Sequence, residues 1–382
     1  MSNHENNGNG GISAASSGLP ETPCIIINGA KVAGNIAGMA EAAARSGVKL
    51  RPHAKTHKLP EVAAKQIAAG ADGITVAKLS EAEVMADSGI DNIFIAYPIV
   101  SPAKLERAVR LASRGVRLIL AVDSLEGAML LSQAAAAGGM ELEARLEIDT
   151  GLHRTGVLPQ DAAELALKID AMDGIRLSGI FTYRGAMLDG KSTLDIRAAG
   201  HEEGRMMAEA ARALRDAGLD IADVSVGSTP TAAYAAEIDG VTEIRPGTYI
   251  YQDRMQVGFG VCAFDDCAGA VWVTVVSRPS AELIVVDGGS KTFATDVQPN
   301  NPPLHLRGFG HIIGDEHAVL ERMNEEHGMI RIAADSAYRV GDRIAIIPNH
   351  ICSTVNLHNF VYWEESDGLL RKTPIAARGM LE

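Results

Sequence analysis

From about residue 48 to residue 247, short β-prone runs alternate with Ala-rich amphipathic stretches, the pattern that successive βα units produce. Eight runs are legible, at 48–52, 73–76, 92–96, 117–122, 143–148, 177–182, 223–227 and 243–245. Between them, stretches such as 101–113, 124–137, 161–171 and 193–217 carry apolar residues at helical spacing. Eight strands alternating with helices predict an α/β fold, a closed parallel (β/α)8 barrel. After Tyr249 the texture changes: runs at 270–277, 282–287, 328–333, 343–347 and 359–363 follow without long helices, which predicts a smaller antiparallel β domain. The segment 23–28 is also strand-like and suits either part. The expected division is a disordered tail over 1–22, a barrel over 23–250 and a β domain over 251–382.

A chain of 382 residues is long enough for both parts. Its net charge of -13 excludes the basic face that nucleic acids and anionic membranes require, so a small-molecule substrate is expected. The first 19 residues are rich in Asn, Gly and Ser with no apolar run, unlike a signal peptide or anchor, and no later stretch is long and uncharged enough to span a bilayer. The four cysteines show neither zinc-finger nor CxxC spacing and are too sparse for a disulfide framework, in keeping with a cytoplasmic protein.

In such barrels the reactive groups sit where strands end, at the carboxyl face. The first run ends in Arg51-Pro-His53-Ala-Lys55-Thr-His57-Lys58, and a lysine beside Arg51, His53, His57 and Lys58 is the strongest candidate for Schiff-base chemistry, because neighbouring cations free its amine. A basic, anion-binding surface loop would look the same. Gly227, Ser228 and Thr229 close the seventh run, where backbone N–H groups and hydroxyls can cradle a phosphate or simply cap a helix. Arg154 and Arg245 follow the fifth and eighth runs and suit either the phenolate oxygen and ring nitrogen of an aromatic cofactor or structural ion pairs. Tyr183 suits a stacking partner or plain packing.

In Pro348-Asn-His350-Ile-Cys352, residues two apart in extended chain point the same way, so His350 and Cys352 can meet one metal ion, with zinc favoured over manganese or magnesium by the thiolate. A buried cysteine beside an unrelated histidine is the plainer alternative. Glu325-Glu326-His327 is a candidate source of one more group for the site.

RPHAKTHK, SVGSTPT, TEIRPGTYIYQD, EEHG and NHICSTVNLHN, in this order, resemble the D-threonine aldolase and D-serine dehydratase group of alanine-racemase-like, fold type III pyridoxal-phosphate (PLP) enzymes, over residues 22–382. The resemblance implies a TIM-like barrel of the alanine racemase N-terminal type and a head-to-tail homodimer with sites at the interface. It implies PLP bound as a Schiff base on Lys55, with phosphate contacts at Gly227, Ser228 and Thr229. It adds His53, Gly247 and Tyr249 to Arg154, Tyr183 and Arg245 as cofactor-binding candidates, and a divalent metal on His350 and Cys352. Aldolases of the group typically carry HxD, a GGGTG phosphate loop and a histidine shortly after YxG, whereas this chain has HxC, GSTPT and Asp189. The departures favour dehydration of a D-3-hydroxy amino acid to a 2-oxo acid and ammonia over retro-aldol cleavage. A racemase would have no use for the metal, and a non-catalytic PLP carrier would lack the β domain.

Overall fold

The computed structural model describes residues 20–382, so most of the expected tail lies outside the described residues. Its last three residues are anchored: Arg343 donates to the Pro20 carbonyl, and the Thr22 hydroxyl donates to Asp287 at 2.6 Å. The described chain divides into two compact units, one of Gly34–Ile250 with Gly379–Glu382, the other of Tyr251–Arg378 with residues 20–33. The boundary near 250 was expected. The strand at 23–28 belongs to the second unit, however, and the barrel begins near residue 34 instead of 23.

Strand β1 (Cys24–Asn28) runs into helix α1 (Gly29–Ser46), in which the division between the units falls. Strands β2 (Lys49–Leu50), β3 (Ile74–Val76), β4 (Asn92–Pro98), β5 (Arg117–Val122), β6 (Leu142–Glu147) and β7 (Ile175–Phe181) follow, then a hairpin of β8 (Met187–Leu188) and β9 (Lys191–Ser192), then β10 (Asp223–Val226) and β11 (Glu243–Ile244). Helices α2 (Pro60–Ala68), α3 (Leu79–Asp87), α4 (Pro102–Ala112), α5 (Leu125–Ala137), α6 (Ala162–Asp170), α7 (Ile196–Asp216) and the short α8 (Ala232–Ala235) alternate with them. The parallel sheet has the order β2-β11-β10-β7-β6-β5-β4-β3, and a bridge between His53 and Thr75 joins its two ends into the expected barrel. The two-residue strands β2 and β11 are short because Pro52 and Pro246 follow closely and have no N–H for a ladder.

Part of the barrel interior is ionic. Arg51 donates to Glu243 at 2.8 Å, to Asp72 at 2.6 Å and to Asn92 at 2.8 Å, while Arg145 pairs with Glu243 at 2.5 Å and Asp223 at 2.7 Å. Arg51, Arg145 and Glu243 are wholly buried, and the two guanidinium groups hold the Glu243 carboxyl well below the usual range despite its burial. Phe94 and Phe181 meet edge to face at 4.9 Å in the apolar part of the same interior.

The second unit is built on a nine-stranded sheet. Its further strands are β12 (Gly269–Ser280), β13 (Leu283–Val286), β14 (Gly310–Ile312), β15 (Val319–Met323), β16 (Gly328–Arg331), β17 (Arg343–Pro348), β18 (Phe360–Glu364) and β19 (Leu370–Pro374), with helices α9 (Arg254–Gly258) and α10 (Ile351–Leu357). Strand β1 lies between β12, antiparallel, and β18, parallel, and buries Ile25 and Ile27 completely, which explains why this segment leaves the barrel. Three strands, β14, β15 and β19, are short or charged and carry no clear alternation in sequence.

Candidate active site

The barrel residues singled out in sequence emerge from five consecutive strands of the sheet, β6, β7, β10, β11 and β2, each just past the strand's carboxyl end. Lys55 follows β2. Its Nζ lies 5.5 Å from the centre of the Tyr183 ring, and the Arg154 guanidinium lies 5.0 Å from the same ring, so the structure brings these three side chains together. His53 Nδ1 accepts the Lys55 N–H at 3.3 Å, which leaves the imidazole proton on Nε2. Burial, followed by the charges of Lys55 and Arg245, pushes His53 well below its ordinary pKa, so it is neutral at pH 7.

The other cations expected around Lys55 are engaged elsewhere. Arg51 enters the barrel's ionic interior. Lys58 is buried in a 2.7 Å ion pair with Glu81. His57, wholly buried, accepts the Leu59 N–H at Nδ1 and gives Nε2–H to Gln66 at 3.2 Å, and burial lowers its pKa to about 4, so it carries no charge at pH 7. Gln66 in turn donates to the Tyr249 hydroxyl at 2.8 Å. The Tyr249 side chain is therefore spent on packing, and its contribution to the site is its backbone N–H, which Thr229 Oγ1 accepts at 3.0 Å.

Gly227 has φ +86°, and a Cβ there would lie 2.9 Å from the Ala232 Cα, so the turn out of β10 requires glycine. Of the three backbone N–H groups expected to line this loop, two are engaged inside the protein. The Gly227 N–H is given to Glu203 at 3.2 Å and the Ser228 N–H to Thr231 at 3.1 Å, because the buried carboxylate on α7 and the Thr231 hydroxyl claim them. The Thr229 N–H and the hydroxyls of Ser228 and Thr229 remain as the loop's donors. Gly247 makes a close approach: a Cβ there would stand 3.1 Å from the His53 Cβ, and His53 N–H donates to Pro246 O at 2.9 Å, which ties the lysine loop to the strand after the phosphate loop. Arg245 is buried, donates to Ser225 at 2.7 Å and to the Thr182 carbonyl, and is lowered by burial to about 10, so it stays charged at neutral pH.

In the second unit, His350 is the extended residue before α10, and Cys352 lies in the first turn of that helix. The extended-chain geometry expected at 350–352 is thus replaced by a cap followed by a helical turn, since Asp253 accepts the Ile351 N–H at 3.0 Å and starts the helix there. The two side chains still converge, within hydrogen-bonding reach of each other. Asp296 accepts from His350 Nδ1 at 2.5 Å and from the Ser353 hydroxyl at 3.0 Å, which fixes the tautomer and leaves Nε2 for a metal. Burial opposes a charge on His350, yet Cys352 and Asp296 together hold it well above its ordinary value, so the pocket favours a cation. One nitrogen and one sulfur suit a soft divalent ion, and no set of three or more His, Cys, Asp and Glu is gathered for a metal among the described residues.

The Glu325–His327 candidate forms the turn between β15 and β16. Lys291 holds both Glu325 and Glu326 at 2.7 Å on the surface, where opposite charges meet in solvent. Sequence reasoning missed Glu203, Gln66, Asp253 and Asp296. Only Glu203 left a signal, a charge in the buried stripe of α7 with Ala199 and Met207 four residues to either side.

Residues 27–255 match the alanine racemase N-terminal domain, and residues 268–363 match a serine dehydratase domain. D-threo-3-hydroxyaspartate dehydratase of Delftia sp. (strain HT23) is 37% identical over 87% of this chain and 91% of its own, and D-threonine aldolase of Arthrobacter sp. is 31% identical over 89% and 88%. The solved Delftia dehydratase superposes with a TM-score of 0.86 at 35% identity, covering 93% of this chain and 97% of that one. No helix among the described residues is long and apolar enough to cross a membrane. The chain belongs to the alanine-racemase-like family, in the group that holds the D-threonine aldolases and D-serine dehydratases.

Proposed function

We propose that this chain is a PLP- and metal-dependent lyase that dehydrates a D-3-hydroxy amino acid, giving a 2-oxo acid and ammonia. The observation that carries this reading is the pairing of the Cys352 sulfur with a His350 imidazole whose other nitrogen is fixed by Asp296. Solved variants of a D-threo-3-hydroxyaspartate dehydratase replace a histidine and, two positions on, a cysteine by alanine, the second described as metal-free. When bound, PLP supplies a sink for charge at the α-carbon, and the metal supplies a Lewis acid for the β-hydroxyl.

The chain's own residues have the following tasks. Lys55 would hold the cofactor through its Nζ, and the same amine would serve as the base for the α-proton. Tyr183, flanked by Lys55 and Arg154, limits where the cofactor ring can lie. His53 and Gly247 pack closely enough that they would form one wall for the cofactor, and Tyr249 steadies Thr229 through its N–H. Ser228 and Thr229 would offer hydroxyl protons to the phosphate, and the charged Arg245 would be the candidate partner for the ring nitrogen. His350 and Cys352 hold the ion, for which we propose zinc. A head-to-tail homodimer in the cytoplasm, without disulfides, completes the proposal, and none of the four cysteines is bridged.

Incubation with D-threonine separates the two reactions of the group. Dehydration yields 2-oxobutanoate and ammonia, the outcome expected, whereas glycine with acetaldehyde would assign the chain to the aldolases.

A further inference from the structure

Glu203 is wholly buried on α7, and no step of the proposed reaction employs it. Its carboxyl accepts the Gly227 N–H at 3.2 Å and the Thr231 hydroxyl at 3.1 Å, and Thr231 Oγ1 lies 3.1 Å from the Ser228 nitrogen and 2.9 Å from the Ser228 hydroxyl. A carboxyl group is thus wired through one hydroxyl to the serine of the phosphate loop.

Two arrangements of the hydrogens keep the 2.9 Å contact between the Ser228 and Thr231 hydroxyls hydrogen-bonded. With Glu203 ionised, Thr231 gives its proton to the carboxylate and accepts from both the Ser228 N–H and the Ser228 hydroxyl, so the serine's hydrogen is spent inward. With Glu203 protonated, the carboxyl O–H is given to Thr231, Thr231 gives its proton to Ser228 Oγ, and the serine's own hydrogen is released for an anion. We propose that Glu203, Thr231 and Ser228 form a proton relay beneath the phosphate loop, by which binding of the cofactor's phosphate draws one proton from solvent onto Glu203 and frees the Ser228 hydroxyl to donate. The relay rests on the PLP reading above and adds to it a proton linked to cofactor loading.

Two features support it. Burial raises Glu203 to about 7 against the opposing hydrogen bonds from Gly227 and Thr231, so a small change of field at the loop moves its proton near neutral pH. The charged groups that act on it are Arg245, past β11, and Arg184, past β7, and both favour the ionised form. A phosphate dianion at the loop acts in the opposite sense and drives protonation.

The test uses the full-length protein freed of cofactor and pyridoxine 5′-phosphate, which cannot form an imine and whose phosphate is a dianion above a pKa of about 6. From pH 7.5 to 8.5 the wild-type affinity falls by up to about tenfold, with close to one proton taken up per ligand in calorimetry across buffers. Glu203→Gln mimics the protonated group, since its amide donates to Thr231, and it binds more tightly than wild type at pH 8.5 with a level profile. Ser228→Ala removes the released donor, matches wild type at pH 8.5 and binds more weakly at pH 7.5. A level wild-type profile, or a wild-type slope in either variant, overturns the relay alone. Absence of wild-type binding at every pH overturns the cofactor reading and the relay with it.

Discussion

Lys55 stands out in sequence because it lies just past a buried strand of a parallel barrel, where reactive groups gather, although the motif alone suits an anion-binding loop equally well. The company it keeps does not, because adjacent cations in sequence diverge in space: Arg51 turns inward to Glu243, Lys58 to Glu81, and His57 loses its charge to burial. Tyr183 and Arg154, remote in sequence, are what stands beside the amine. The proposed metal pair, His350 and Cys352, can be picked out in sequence, whereas Asp296 cannot, since a loop aspartate 54 residues upstream has no local spacing to betray it. At this scale the account predicts that Asp296→Asn lowers zinc affinity by about 10–100-fold, because the amide no longer holds the imidazole tautomer. Competition with a chelating dye measures it, and unchanged affinity would remove Asp296 from the site.

The eight runs became eight strands because apolar, β-branched stretches bounded by helical patterns leave little choice of pairing. What the alternation could not convey is that residues inside the barrel are charged: Arg145 on β6 reads as a strand interruption and is instead one arm of a buried ion network. Arg145→Leu strands Glu243 and Asp223 without a full partner, and chemical denaturation is expected to register a loss of roughly 3–5 kcal/mol. Strand β14 escaped because three residues are too few to show a period, and β19 because an exposed edge needs no hydrophobic one. Helix α7 carries a pH effect of its own. The folded Glu203 carboxyl titrates near 7 against an ordinary 4.5, so its cost to stability is absent below pH 4.5, grows from there to about pH 7 and is fully present above it. Glu203→Gln is therefore more stable than wild type at pH 8.5, by up to on the order of 3 kcal/mol, with the difference vanishing near pH 4.5. Denaturant midpoints at the two pH values check it.

For the molecule as a whole, the proposed metal donors and the proposed cofactor donors belong to different compact units. Dialysis against a zinc chelator is accordingly expected to abolish turnover of D-3-hydroxy amino acids while the absorbance of bound PLP persists, and readdition of zinc restores the rate. Loss of both together would tie the two groups to one another. The division itself was readable from the change of texture after Tyr249, but the placement of β1 was not, because a run of three isoleucines packs equally well in either unit and only its pairing with β12 and β18 decides. The most direct measurement is reduction of the PLP-loaded protein with borohydride followed by peptide mapping. The account predicts a phosphopyridoxyl group on Lys55 that is missing from Lys55→Ala, and a label on any other lysine, or none at all, would contradict it.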